Sequence, residues 1–194
     1  MRKLTLGFLS GAVVAMAAMS AQAAWKNYVN KELGFAFAAP GEMKASVGTF
    51  RGAVSGPRES ISYRSAEDNI EYRVSVMRFP QAQAEGATLL GERQYMFQDG
   101  RGKKTVSDVL SRIGSGKDAI YGRKLVVDLP ENKGRATGVF YFLKGGKLIS
   151  LEATVLPAHG SPDAPEAARF VNSIAFNPSS VEPGTVELET PPLE

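Results

Sequence analysis

Five consecutive apolar residues, Val139 to Leu143, lie inside the run RATGVFYFLK at residues 135–144. A strand turns successive side chains to opposite faces, so one that is apolar at every position must be covered on both. That places residues 135–144 in the middle of a layered structure. Gly145-Gly146 turns the chain, and KLISLEATVL at 147–156 returns as the second arm of a hairpin.

The neighbouring segments fit such a sheet. GFAFAAP at 34–40 puts Phe35 and Phe37 on one face and ends at Pro40. ISYRS at 61–65 is a second strand. IEYRVSVMRF at 70–79 alternates Ile70, Tyr72, Val74 and Val76 with Glu71, Arg73 and Ser75. AEDN between these two runs is a turn, so they form a hairpin. RKLVVDL at 123–129 is another strand, followed by the turn ENKG.

Two segments change period. In residues 88–99, Leu89 repeats with Met96 and Leu90 with Phe97, which predicts a helix with one buried face. Gly100 is placed to stop it. Near the end, DAPEAARFVNSIAF sets Ala167, Phe170, Val171 and Ile174 at i, i+3, i+4 and i+7. Asp163 is the expected N-cap, Glu166 its capping-box partner, and Pro165 suits the first turn. This helix is expected to lie on the sheet, anchored by Phe170. Residues 106–113 carry a short apolar stripe between Gly-rich breaks and are read as a strand.

The chain opens with Arg2 and Lys3, then an apolar run to Ala18 and the site Ala21-Gln22-Ala23. That pattern reads as a signal peptide over 1–23, cleaved before Ala24. The run is shorter than the ~20 residues of a membrane span. Removing 23 of 194 residues leaves 171, enough to bury a core without disulfides, and the chain has no Cys. Periplasmic or secreted localisation follows.

Charge divides the mature chain. It holds 21 basic and 20 acidic residues, but the last 18 carry four Glu and no basic group, which leaves residues 24–176 at +5. Residues 177–194, with four Pro and few bulky apolar groups, read as a disordered acidic tail that can be deleted without effect on stability. Residues 24–176 form a single domain. Nucleic-acid binders carry stronger, clustered positive charge, so nucleic acid is not an expected partner.

GFAFAAP near the mature start, YGRKLVV at 121–127 and the closing ARFVNSIAF resemble the PsbP/DcrB-like superfamily of exported domains. The closing match is Arg169, Phe170, Ser173 and Ile174. The resemblance implies an α+β fold, an antiparallel sheet sandwiched by helices. It supplies no catalytic residues and implies an accessory or partner-binding role.

Candidate chemistry is thin. His159 is the one histidine, close to Ser161 and Asp163, but three groups within five residues split by Gly and Pro do not converge as a triad. One His and no Cys exclude a zinc site of usual composition. SAEDN at 65–69 is a turn rather than a Ca²⁺ loop. GRGKKT and GSGKDA imitate a phosphate loop without its Ser or Thr. No cofactor is expected. Arg101, Lys103 and Lys104 form a basic group that could meet an acidic partner, and Trp25 and Tyr28 an aromatic contact surface. The expected function is a non-catalytic binding or accessory protein of the bacterial periplasm, its partner a protein or other envelope component. The alternative is a hydrolase using Glu71, Asp128 or Glu152, which requires two of these acids in one cleft.

Overall fold

The computed structural model describes residues 24–52, 54–79, 86–101, 104–178 and 181–192. The expected signal peptide lies outside them. In chain order the elements are β1 (Trp25–Asn30), β2 (Phe35–Pro40), β3 (Lys44–Gly52), β4 (Gly56–Glu67), β5 (Ile70–Arg78), α1 (Gly86–Arg101), β6 (Lys104–Ile113), β7 (Ile120–Asp128), β8 (Arg135–Leu143), β9 (Lys147–Val155), α2 (Pro165–Asn172), β10 (Ala175–Phe176) and β11 (Val186–Glu187).

Seven strands make one antiparallel sheet in the order β3-β4-β5-β9-β8-β7-β6. The apolar β8 and its hairpin partner β9 are interior strands, as required by side chains that must be covered on both faces. Residues 106–113 do form a strand, within β6. A smaller sheet, β10-β2-β1-β11, packs beside α2 on one face of the large one.

That face holds the main core. Phe170 of α2 is fully buried, with its ring 5.1 Å from Tyr72 and 6.0 Å from Phe37. Tyr28, Phe35 and Phe37 of the small sheet meet Tyr63, Tyr72, Val74, Ile149 and Leu151 of the large one. The closing motif ties these layers together. Arg169 sits 4.0 Å over the Trp25 ring. The Ser173 hydroxyl accepts the Ala38 amide at 2.9 Å and lies 2.7 Å from the Phe170 carbonyl. Ile174 is buried.

The opposite face is covered by α1 over part of its width. Phe97 stacks edge-on to Phe140 at 5.2 Å, above Leu125, Val127 and Ala136. Gly138 permits this approach: a Cβ there would fall 2.7 Å from the Phe140 ring and 3.0 Å from Phe97. Leu89 packs on Met77 and Leu148. The helix also runs through Gly100 to Arg101.

Three expectations need correction. The large sheet is not simply sandwiched by helices, because a second sheet shares one face with α2 and α1 covers only part of the other. The N-cap of α2 is Ala164, with no side-chain cap bond. Asp163 instead accepts from the Arg135 guanidinium, a charged donor that outcompetes a backbone amide. Finally, the described tail residues 181–192 are not disordered. Val186 and Glu187 pair in parallel with Tyr28 and Val29, and Leu188 packs on the core. Asn30, wholly buried, donates to the Leu188 carbonyl at 3.1 Å and to Thr190 Oγ1 at 2.9 Å. The Tyr63 hydroxyl donates to the Glu189 carbonyl at 3.0 Å. A Pro-rich segment with few apolar groups is held here by polar side chains far away in sequence.

Candidate functional site

Strand register writes the α1-side face as rows. One row reads Ser46, Ser62, Ser75, Ser150 across β3, β4, β5 and β9, then Phe140 on β8. The next reads Lys44, Arg64, Arg73, Glu152, then Gly138. The face is therefore apolar beneath α1 and polar beyond it. An open groove of about 920 Å³ lies on the polar part, lined by Lys44, Ser46, Arg64, Glu71, Arg73 and Glu152 among others.

The sheet beside and beneath it is ordered by hydrogen bonds. The Ser62 and Ser75 hydroxyls lie 3.4 Å apart, and Arg73 Nη2 donates to Ser62 Oγ at 3.3 Å. Glu152, in the sheet, accepts from Arg93 of α1 and from the Ser150 hydroxyl at 3.2 Å. Arg93 lies between the rings of Phe50 and Phe140, 5.7 and 5.5 Å from their centroids. Next to it in α1, Glu92 accepts from the amides of Val54 and Ser55 and pins the β3–β4 turn to the helix. Burial pushes the Glu92 carboxyl up, but hydrogen bonds from the Ser55 side chain and those two amides outweigh it, and the net shift is downward.

The sequence candidates are dispersed. Glu71 and Glu152 do share the groove, whereas Asp128 lines a different hollow with Lys104 and Arg135. A hydrogen bond from Arg135 holds the Asp128 carboxyl below its usual range. His159 Nδ1 lies 3.0 Å from the Ser161 carbonyl, not its hydroxyl, while Asp163 is taken by Arg135. No triad forms among them. Lys104 is exposed at the start of β6, 3.7 Å from Asp128. Lys103 and the Arg101 side chain lie outside the described residues. Tyr28 corrects the aromatic-surface expectation: it is 2% exposed, and its hydroxyl donates to the Gly41 carbonyl. Trp25 is half-buried, edge-on to Tyr72 at 6.2 Å.

Lys44, Arg64 and Arg73 were not among the sequence candidates. A signal for two of them existed, since Arg64 and Arg73 occupy the polar phase of alternating strands. What juxtaposes them is strand pairing. Among the described residues, no group of three His, Asp or Glu could hold a metal ion. Nor is any helix there long and apolar enough to cross a membrane.

An antiparallel sheet flanked by α1 on one side, and by α2 with a small sheet on the other, defines an α+β domain of PsbP-like fold. Among solved structures, the chain is similar to the solution structure of cyanobacterial PsbP (CyanoP) from Synechocystis sp. PCC 6803. The TM-score is 0.51, over 88% of this chain and 98% of that one, at 12% sequence identity. Likeness at that identity is likeness of fold. No family model and no curated protein matches the chain.

Proposed function

We propose that the protein is a non-catalytic binding or accessory protein of the bacterial periplasm, and that the groove beside α1 is its recognition surface. One observation carries the non-catalytic reading. Glu152, the buried member of the Glu71–Glu152 pair that the sequence offered, is engaged by Arg93 and Ser150. A carboxylate held by a guanidinium within the floor does not shuttle protons to a substrate above it, and paired acid–base work needs both members. The PsbP-like fold and the export signal read from residues 1–23 support the accessory role and the compartment.

The shared location of Glu71 and Glu152 favours a second reading, a carboxylate-dependent hydrolase. Chromogenic ester and glycoside substrates test it. The expected result is no turnover above background in the wild type. Turnover abolished by Glu71→Gln would establish the hydrolase. N-terminal mass spectrometry of the exported protein tests the compartment, with Ala24 as the expected first residue.

A further inference from the structure

We infer that the protein forms a two-fold homodimer in which residues 107–113 of β6 pair with the same residues of a second copy, an inference independent of the groove. β6 is an edge strand of the large sheet, paired with β7 alone among the described residues. The backbone donors and acceptors on its outer side are a template for another strand. Bulges and lysines commonly blunt such an edge. Here Lys104 and the irregularity between Thr105 and Ser107 blunt the start of β6 and no more. The regular part, SDVLSRI, holds no Pro, Gly or Lys. It exposes an apolar side chain on each face, Leu110 at 76% and Val109 at 49%. A partner strand covers both at once.

Antiparallel pairing restricts the register. Outward-facing backbone groups alternate along a strand, so residues directly opposite one another have the same parity, and a two-fold axis must pass through a residue. Leu110 is the centre of 107–113, so an axis there pairs the whole regular segment with itself. It sets Leu110 on Leu110, Val109 on Ser111 and, twice over, Asp108 on Arg112. Asp108, Leu110 and Arg112 share the α1 face, since Asp108 stands opposite Leu125, which packs with Phe97. Opposite charges facing each other across strands are stabilising, and an axis on Val109 or Ser111 would lose both pairs. Asp108 already accepts from Arg123 at 2.6 Å and from Gln94 at 2.9 Å, one bond to each oxygen, where a carboxylate takes about four. Arg112 donates from Nε to the Gly114 carbonyl at 3.2 Å, one of its five N–H donors. These charges choose the register, while backbone hydrogen bonds and apolar cover hold the strands together. The other edge strand, β3, offers no such match: its charges, Lys44 and Arg51, have one sign, and Gly48 weakens its middle.

The test is sedimentation equilibrium of the exported protein over a concentration series. A strand-edge contact is smaller than the standard interface of about 1,200–2,000 Å², so a reversible dimer with a Kd of about 10–100 µM is expected. Leu110→Lys sets two ammonium groups on the axis and should abolish the dimer. The melting temperature of its monomer should stay at the wild-type value, because the side chain is 76% exposed. Arg112→Asp sets acids opposite acids and should weaken association about tenfold, since two cross-strand pairs per dimer reverse sign. The chain has no Cys, so introduced thiols report the register. Leu110→Cys should oxidise to a cross-linked dimer, and Ser107→Cys, which faces the partner's Ile113, should not. A monomer up to about 1 mM, ten times the weakest Kd expected, overturns the inference. So does a dimer indifferent to Leu110→Lys, and so does an open polymer broken by Val47→Lys, which would join β6 to β3 head to tail. None of these results bears on the non-catalytic reading, which falls only on turnover.

Discussion

The ion pair between Arg93 and Glu152 can be tested by a double-mutant cycle. The two side chains are 10% and 1% exposed. Removing one partner of such a pair strands the other charge, at a cost of about 3–5 kcal/mol. The two single variants should differ. Glu152→Gln leaves Arg93 on α1 between Phe50 and Phe140, where cation–π contacts retain about 0.5–2 kcal/mol, so the low end is expected. Arg93→Met leaves a carboxylate in the sheet with the Ser150 hydroxyl and with Arg73 opposite it on β5, but without the guanidinium that neutralises it from α1, so the high end is expected. The double variant Arg93→Met/Glu152→Leu should be close to neutral, because desolvation of both charges is relieved together. Equilibrium urea unfolding, followed by Trp25 fluorescence, reads these differences. With a slope of about 2 kcal/mol per molar urea, Glu152→Gln should lower the midpoint by about 1.5 M. A Glu152→Gln variant with the wild-type midpoint would refute the reasoning. It would mean that Glu152 is not committed to Arg93, and the acid pair with Glu71 would again be available for catalysis.

Other expectations follow from particular contacts. Phe170→Ala should cost about 3–5 kcal/mol, measured by denaturant unfolding, because the ring is fully buried between Tyr72 and Phe37. Truncation after Pro178 should lower the melting temperature, since it removes the tail partners of the buried Asn30 and of the Tyr63 hydroxyl, each at about 1–3 kcal/mol if left unsatisfied; an unchanged melting temperature would restore the dispensable tail. Glu92, whose folded pKa is depressed, contributes stability above the unfolded carboxylate value of about 4.3 and loses it as pH falls through the lower folded value. The stability gap between wild type and Glu92→Gln should accordingly close in acid, below pH ~4.

The elements legible in the sequence are those whose evidence is local. The β8–β9 hairpin announces itself by an unbroken apolar run and a Gly-Gly turn, β5 by strict alternation, and α2 by its spacing around Phe170. Hidden elements take their partners from far along the chain. β3 is exposed along most of its length, so it needs no apolar alternation and shows none. β1 begins with exposed Lys26 and Asn27 and ends with three buried residues, so neither period fits. The tail contains few apolar side chains, and its binding depends on Asn30 and Tyr63, more than a hundred residues away. Asp163 reads as a cap until Arg135 claims it. The groove has the same character. Glu71 and Glu152 stand out individually as strand carboxylates, but whether they form a catalytic pair depends on Arg93, which arrives on a different element.

The two faces of the large sheet also bear on where function resides. The face beneath α2 is closed by aromatic contacts, by Ser173 on the backbone of β2, and by a tail strand that occupies an edge of the small sheet. Recognition there would require unpacking a core. The α1 face differs because beyond the helix it carries polar side chains, several of them buried. Apolar side chains under Phe97 give way to serines and charges from β9 to β3, and covering those with a second helix would strand their polar groups. The open groove lined by Lys44, Arg64 and Glu71 lies here, so a ligand can reach it without unpacking a core.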